Sequence, residues 1–110
     1  MMSNGDLISG SADNTIKVWD TLKSFELKAT ITGHSDWVIA LSSLNNGFLA
    51  SSSYDKTIKI WNLGSYELHQ TLLGHEKEVN TLVEYKRGNL ISSSADKTIR
   101  FWNCFEIAVI

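Results

Sequence analysis

Residues of the three types that form a hydrolase triad occur together twice in this chain. One set is His34, Ser51 and Asp55, in which serine would attack, histidine would act as base and the carboxylate would orient the base. An enzyme has no use for the same active site in each of two repeats, and neither serine lies in a strand-to-helix nucleophile elbow. We therefore predict a structural role for both sets, no catalytic residues and no enzymatic activity. The second set is His75, Ser92 and Asp96.

These sets recur because the chain is repetitive. Shifted by 41 residues, segment 33–62 lies on segment 74–103 without a gap, and 15 of the 30 positions are identical. Shifted by 42 residues, segment 5–20 lies on segment 47–62, which brings Trp19, Trp61 and Trp102 into phase. A period near 41 residues is typical of repeat architectures and decides the fold class.

Each repeat is predicted to be a set of short strands. Residues 57–61 alternate β-branched and polar side chains, the period-2 pattern of a strand. Four strands in a unit of roughly 40 residues match the size and strand number of one propeller blade. The predicted fold class is therefore all-β, with four-stranded antiparallel sheets. The corresponding strands are 15–19 and 98–102, and the others are 27–31, 37–41, 48–53, 68–72 and 79–83.

Composition excludes several classes of function. The formal net charge is −2, and Lys and Arg are scattered singly, which predicts no nucleic-acid partner and no anionic membrane surface. No stretch is long enough to cross a bilayer. The single cysteine, Cys104, cannot form an internal disulfide and favours a reducing compartment, cytoplasmic or nuclear. His69 and the other histidines lie too far apart for a metal site, and no glycine loop could cradle a phosphate, so no cofactor is expected.

The motif in each repeat resembles that of the WD-repeat (tryptophan-aspartate repeat) β-propeller family. Gly-His opens the segment, an aspartate follows, and Trp-Asn closes it. The resemblance covers essentially the whole chain. It is carried by Gly33-His34, Asp55 and Trp61-Asn62, by Gly74-His75, Asp96 and Trp102-Asn103, and by Asp13 and Trp19-Asp20.

The resemblance implies a buried hydrogen-bonded tetrad in each blade. An indole N–H can only donate a hydrogen bond. A serine hydroxyl can accept that hydrogen bond and donate one of its own, and a neutral imidazole can accept at one nitrogen and donate to a carboxylate from the other. Every buried polar group then has a partner. The implied tetrads are His34–Ser51–Asp55–Trp61 and His75–Ser92–Asp96–Trp102, with Ser9, Asp13 and Trp19 as an incomplete set.

The same resemblance gives the domain organisation, a single propeller segment over residues 1–110. We expect a partial blade at about 1–32, a blade at about 33–73 and a blade at about 74–110 whose outer strand is uncertain. Asn4-Gly5 aligns with Asn46-Gly47, so the first unit is expected to lack its innermost strand. Closed rings have about 4–8 blades, so the ring is incomplete. Three interpretations follow. The chain is a fragment of a longer protein, a self-associating unit that completes a ring, or an open array of blades that is stabilised by a partner.

Candidate binding residues are those that differ between repeats, because residues shared by all repeats are expected to maintain the structure of the blade. Trp37 aligns with Glu78, Ile39 aligns with Asn80, and Tyr54 corresponds to alanine in the other two repeats. The resemblance implies that these positions lie near one rim of the propeller's central channel, where members of the family often bind peptides. Aromatic residues dominate interface hot spots.

The sequence thus predicts a protein–protein interaction scaffold with other proteins or peptides as partners. The alternative is a substrate receptor or regulatory subunit of a larger enzyme complex, such as a ubiquitin ligase.

Overall fold

The computed structural model describes residues 6–22, 24–44, 47–85 and 89–103. Within these ranges the chain forms ten strands and no helix, arranged as three antiparallel sheets. Eight of these strands lie where the sequence predicts them, with bounds that differ by at most two residues, and the other two cover residues 6–10 and 90–94. The outer strand expected after residue 103 lies outside the described residues, as do Cys104 and the N-terminal Asn4-Gly5.

The first sheet contains β1 (Asp6–Gly10), β2 (Ile16–Asp20) and β3 (Glu26–Ile31), in that order. The tight turn between β1 and β2 places Asn14 at a φ of 74°, a left-handed conformation that asparagine tolerates better than most residues. By the repeat alignment, β1 corresponds to the second strand of the next sheet. The described part of the first sheet therefore has no innermost strand.

The middle sheet is the complete one and consists of β4 (Val38–Ser43), β5 (Phe48–Ser53), β6 (Ile58–Asn62) and β7 (Leu68–Leu72). Strand β5 is buried along almost its whole length, because sheets pack against both of its faces. A sheet buried on both faces needs apolar or internally paired side chains at every position.

The third sheet contains β8 (Val79–Glu84), β9 (Leu90–Ser94) and β10 (Ile99–Trp102). It repeats the first three strands of the middle sheet, including their register. Strand β4 packs beside β8, so the two edge strands lie next to each other.

Two apolar cores separate the three sheets. The core between the first and middle sheets is centred on Ile16, Val18, Leu49 and Trp61. The core between the middle and third sheets includes Ile58, Ile60, Val79, Leu82 and Leu90. Burial of such side chains at about 25 cal/mol per Å² is the main force that holds neighbouring sheets together.

Candidate functional site

The polar residues of the middle sheet form one connected chain of hydrogen bonds. The Trp61 indole donates to Ser51 Oγ at 2.8 Å. Ser51 Oγ lies 2.6 Å from His34 Nε2, and His34 Nδ1 lies 2.7 Å from Asp55 Oδ2. Each donor meets an acceptor if His34 is neutral and protonated at Nδ1, which is the tautomer that this geometry requires.

The third sheet repeats this arrangement. His75 bridges Ser92 and Asp96 with two contacts of 2.8 Å, and the Trp102 indole donates to Ser92 at 2.8 Å. Ser51 and Ser92 are at most 1% exposed, so no substrate could reach either hydroxyl. The geometry fits an internal polar network and not a nucleophilic site.

The first sheet contains only part of the set. The Trp19 indole donates to Ser9 Oγ at 3.1 Å, but the chain has no histidine before His34 to bridge Ser9 to Asp13. Asp13 instead accepts the backbone N–H of Thr15 at 3.0 Å and the hydroxyl of the same residue. Those hydrogen bonds lower the pKa of Asp13 below its ordinary value.

Burial and hydrogen bonding set the charge state of the complete network. Burial lowers the pKa of His34 and outweighs the opposing effect of the Asp55 carboxylate. Burial tends to raise the pKa of Asp55, but hydrogen bonds from Thr57 and His34 prevail and lower it. At neutral pH the network therefore holds a neutral imidazole and an ionised carboxylate.

The sequence analysis missed a threonine that completes each network. The Thr57 hydroxyl and backbone N–H both donate to Asp55 Oδ1, at 2.6 and 2.9 Å, and Thr98 makes the same contacts with Asp96. The signal was present, because a threonine follows each of the three aspartates by two residues. Such Asx-type turns fix the loop that leads into β6 and β10.

The candidate binding residues Trp37 and Tyr54 meet at the end of the middle sheet. Their rings stack with centroids 5.5 Å apart and planes 8° from parallel. Trp37 is 52% exposed and Tyr54 is 45% exposed. The two residues together present a broad aromatic surface to solvent.

Ile39 and Asn80 occupy equivalent bulges at the starts of β4 and β8. The register of β4 with β5 shifts between Val38 and Ala40, so Ile39 is the extra residue, and Asn80 is the extra residue of β8. A bulge re-aims the side chain that it carries. Both side chains are exposed, whereas Glu78 is half-buried. The structure thus places all five candidate binding residues at the same end of two neighbouring sheets.

Comparison with known proteins identifies the family. The family model described as "WD domain, G-beta repeat" matches residues 1–20, 25–62 and 66–103. The chain therefore belongs to the WD-repeat family, whose members are generally non-catalytic scaffolds for protein interactions. The matched segments are offset from the sheets, because the last two begin with the outer strand of one sheet and end with the third strand of the next.

Solved structures and one curated relative agree with this assignment. U3-55K and the WD40 repeats of RRP9 are each 31% identical to this chain, with TM-scores of 0.82 and 0.83. Each match covers 89% of this chain and 30% of the solved chain. Protein transport protein sec13 of Aspergillus oryzae (strain ATCC 42149 / RIB 40) is 47% identical over an alignment of 34 residues, and the match covers 28% of this chain and 12% of the relative. The predicted all-β propeller architecture with an incomplete ring is confirmed.

Two kinds of site are absent from the described residues. They contain no group of three or more His, Cys, Asp or Glu side chains that could hold a metal ion. Nor do those residues include a helix long and apolar enough to cross a membrane.

Proposed function

We propose that this chain contributes a protein-binding rim to a WD-repeat scaffold, and that the Trp37–Tyr54 stack is its anchor. The observation that carries the proposal is the parallel stacking of two aromatic rings that both remain about half exposed. Large, rigid aromatic groups bind partners at a small cost in conformational entropy, which is why they dominate hot spots.

The backbone beneath the stack holds it rigid. Tyr54 N–H donates to the Trp37 carbonyl at 3.0 Å, and Trp37 N–H donates to Asp36 Oδ1 at 2.8 Å. Ser53 Oγ donates to the Asp36 carbonyl at 3.1 Å. A binding surface whose geometry is fixed in advance loses less freedom when a partner docks.

The third sheet shows that this backbone frame does not require aromatic residues. There Ala95 N–H donates to the Glu78 carbonyl at 3.1 Å, and Ser94 Oγ donates to the same carbonyl at 2.8 Å. The same turn is thus built with Glu78 and Ala95 where the middle sheet has Trp37 and Tyr54. Because the fold accepts either pair, the aromatic pair is available for recognition.

The neighbourhood of the stack favours a partner segment with apolar side chains. Ile39, two residues after Trp37, is 36% exposed, and Asn80 offers an uncharged polar group on the next sheet. An extended peptide that inserts an aliphatic or aromatic side chain against Trp37 would gain apolar contact and hydrogen bonding together.

The internal repeat supplies the variant that tests the proposal. Trp37→Glu combined with Tyr54→Ala installs the residues of the third sheet on a frame known to accept them. A displayed peptide library would be selected on the wild-type chain and on this double variant in parallel. We expect apolar peptides to be enriched on the wild type only. Enrichment of the same peptides on both proteins would refute the aromatic anchor.

A further inference from the structure

The Asp55 carboxylate divides its two oxygens between two parts of the chain. Oδ1 accepts the hydroxyl and the backbone N–H of Thr57, at 2.6 and 2.9 Å, and so holds the turn that leads into β6. Oδ2 accepts the backbone N–H of Ser35 at 3.1 Å and lies 2.7 Å from Nδ1 of His34. One carboxylate therefore joins the turn after β5 to the segment that leads into β4.

Both of the segments that this carboxylate joins carry a ring of the aromatic stack. Tyr54 directly precedes Asp55, and Trp37 follows Ser35 by two residues. The side chain of Asp55 is only 7% exposed, whereas the two aromatic residues are about half exposed. The carboxylate is thus placed to hold the two segments together and not to contact a partner.

We propose that Asp55 is a positioning residue for the aromatic stack. Its two oxygens fix the backbone before Trp37 relative to the turn that carries Tyr54, so the rings are stacked before a partner arrives. This inference rests on the proposed function of the stack and adds the residue that arranges it. If one of the two segments were released, a partner would have to order the rings as it binds, which would weaken its affinity.

The third sheet contains the same carboxylate without the stack. Asp96 Oδ2 accepts the backbone N–H of Glu76 at 3.0 Å and lies 2.8 Å from Nδ1 of His75. The positions of the two aromatic residues are occupied by Glu78 and Ala95. A substitution of Asp96 therefore disturbs an equivalent network and leaves the stack alone, which makes it the matched control.

Asp55→Asn tests the need for two acceptor oxygens with almost no change in side-chain size. An amide has a single acceptor oxygen, so it can serve the backbone N–H of Thr57 or that of Ser35 but not both. His34 stays paired in either case, because a neutral imidazole can exchange the nitrogen that donates for the one that accepts. The substitution therefore releases one ring-bearing segment from the other.

NMR spectra of the full 110-residue chain report the stack without any ligand. The stacked indole displaces the ring-proton signals of Tyr54 upfield. We expect Asp55→Asn to move these signals toward those of an exposed tyrosine, and Asp96→Asn to leave them unchanged. Thermal melts should show similar losses of stability in the two variants. Movement of equal size in both variants, or in neither, would overturn the positioning role.

A second matched pair serves if an asparagine variant does not fold. The first sheet forms the turn at Asp13 without a histidine, so loss of the histidine is compatible with this turn. His34→Gln removes one of the two donors that hold Asp55 Oδ2 and should move the Tyr54 signals in the same direction. His75→Gln is its control and should leave them in place. Equal spectra for the Tyr54 ring in this pair would likewise count against the proposal.

Affinity for a partner is the second readout. The probe is an apolar peptide selected on the wild type, and calorimetry gives its dissociation constant. Asp55→Asn should weaken binding by roughly threefold to tenfold, because a loosened side chain must be ordered on binding. Asp96→Asn should weaken it less, and equal affinities for both variants would overturn the proposal. Failure to select any peptide would refute the proposed function, whereas the Tyr54 signals would still decide whether Asp55 positions the rings.

Discussion

Ser51 and Ser52 are adjacent in β5 and equally buried, yet their hydroxyl groups have opposite hydrogen-bonding status. Ser51 Oγ joins Trp61 to His34, whereas Ser52 Oγ has no hydrogen-bond partner among the described residues. Both side chains are 0% exposed. Their positions on opposite faces of the strand explain the difference, because Ser51 faces the polar network and Ser52 faces an apolar core.

This contrast predicts opposite results for the same substitution. Ser51→Ala should lower the free energy of unfolding by about 1–3 kcal/mol, because it strands the Trp61 donor and one histidine nitrogen. Ser52→Ala should leave stability unchanged or raise it, because it removes an unpaired buried polar group. Urea denaturation of both variants measures the difference. Equal losses in the two variants would show that the network contributes nothing beyond packing.

Stability should decrease as the pH falls below neutrality. The pKa of His34 in the folded protein is lowered from its ordinary 6.5, so the unfolded chain binds a proton more readily. The contribution of His34 is therefore complete above pH 6.5 and is lost as the pH falls through and below that value. The measurement is urea denaturation of the wild type and of His34→Gln between about pH 7.5 and pH 5. An identical pH dependence in the two proteins would contradict the assignment.

The close approach of Gly33 to Trp61 makes this glycine sensitive to substitution. A Cβ atom at Gly33 would lie 2.6 Å from Cη2 of the Trp61 ring, which is far inside van der Waals contact. Gly33→Ala should therefore destabilise the chain by about 1–3 kcal/mol. Gly64→Ala is the control, since its nearest atom is the side-chain oxygen of Asn62 at 3.1 Å. Thermal melts that rank Gly64→Ala as the more harmful change would be inconsistent with this contact.

Two lysines offer a route to a more stable chain. Lys56 and Lys97 occupy left-handed turns with φ of 74° and 69°, where the first repeat has Asn14 at 74°. Lys56→Asn should stabilise the fold by a few tenths to about 1 kcal/mol, because asparagine tolerates this conformation better than lysine. Lys77→Asn, at a loop position without this conformation, should have little effect. A loss of stability in Lys56→Asn by chemical denaturation would argue against backbone strain at this turn.

Most of the fold can be predicted from the sequence because the same pattern of strand and turn residues occurs in each repeat. The predicted strand 57–61 occurs three times in phase, so a single ambiguous segment could not mislead the assignment. The network residues were accessible for the same reason, together with the family resemblance. The bulges at Ile39 and Asn80 were not accessible, because a bulge changes register without leaving a residue-type signature.

The contact between Trp37 and Tyr54 was predicted only as proximity at a rim. Their parallel stacking depends on the hydrogen bond from Tyr54 N–H to the Trp37 carbonyl, which fixes the two backbones side by side. The exposure of Ile99 and Phe101 also escaped residue-level analysis. The alternating pattern predicts Ile99 and Phe101 to be ordinary core residues of a strand. Only the order of the sheets in three dimensions shows that the described residues leave them exposed.

The Trp37–Tyr54 stack is proposed to anchor a protein partner. The most direct measurement is the dissociation constant, by isothermal titration calorimetry, of a peptide selected on the wild type. Trp37→Glu with Tyr54→Ala is compared with the wild type and with a control, Leu73→Ser, at an exposed residue in the loop between β7 and β8. We expect the affinity to be weakened by roughly tenfold or more in the double variant, because it lacks the aromatic hot spot, and to be unchanged in the control. Equal affinity for all three proteins would contradict it.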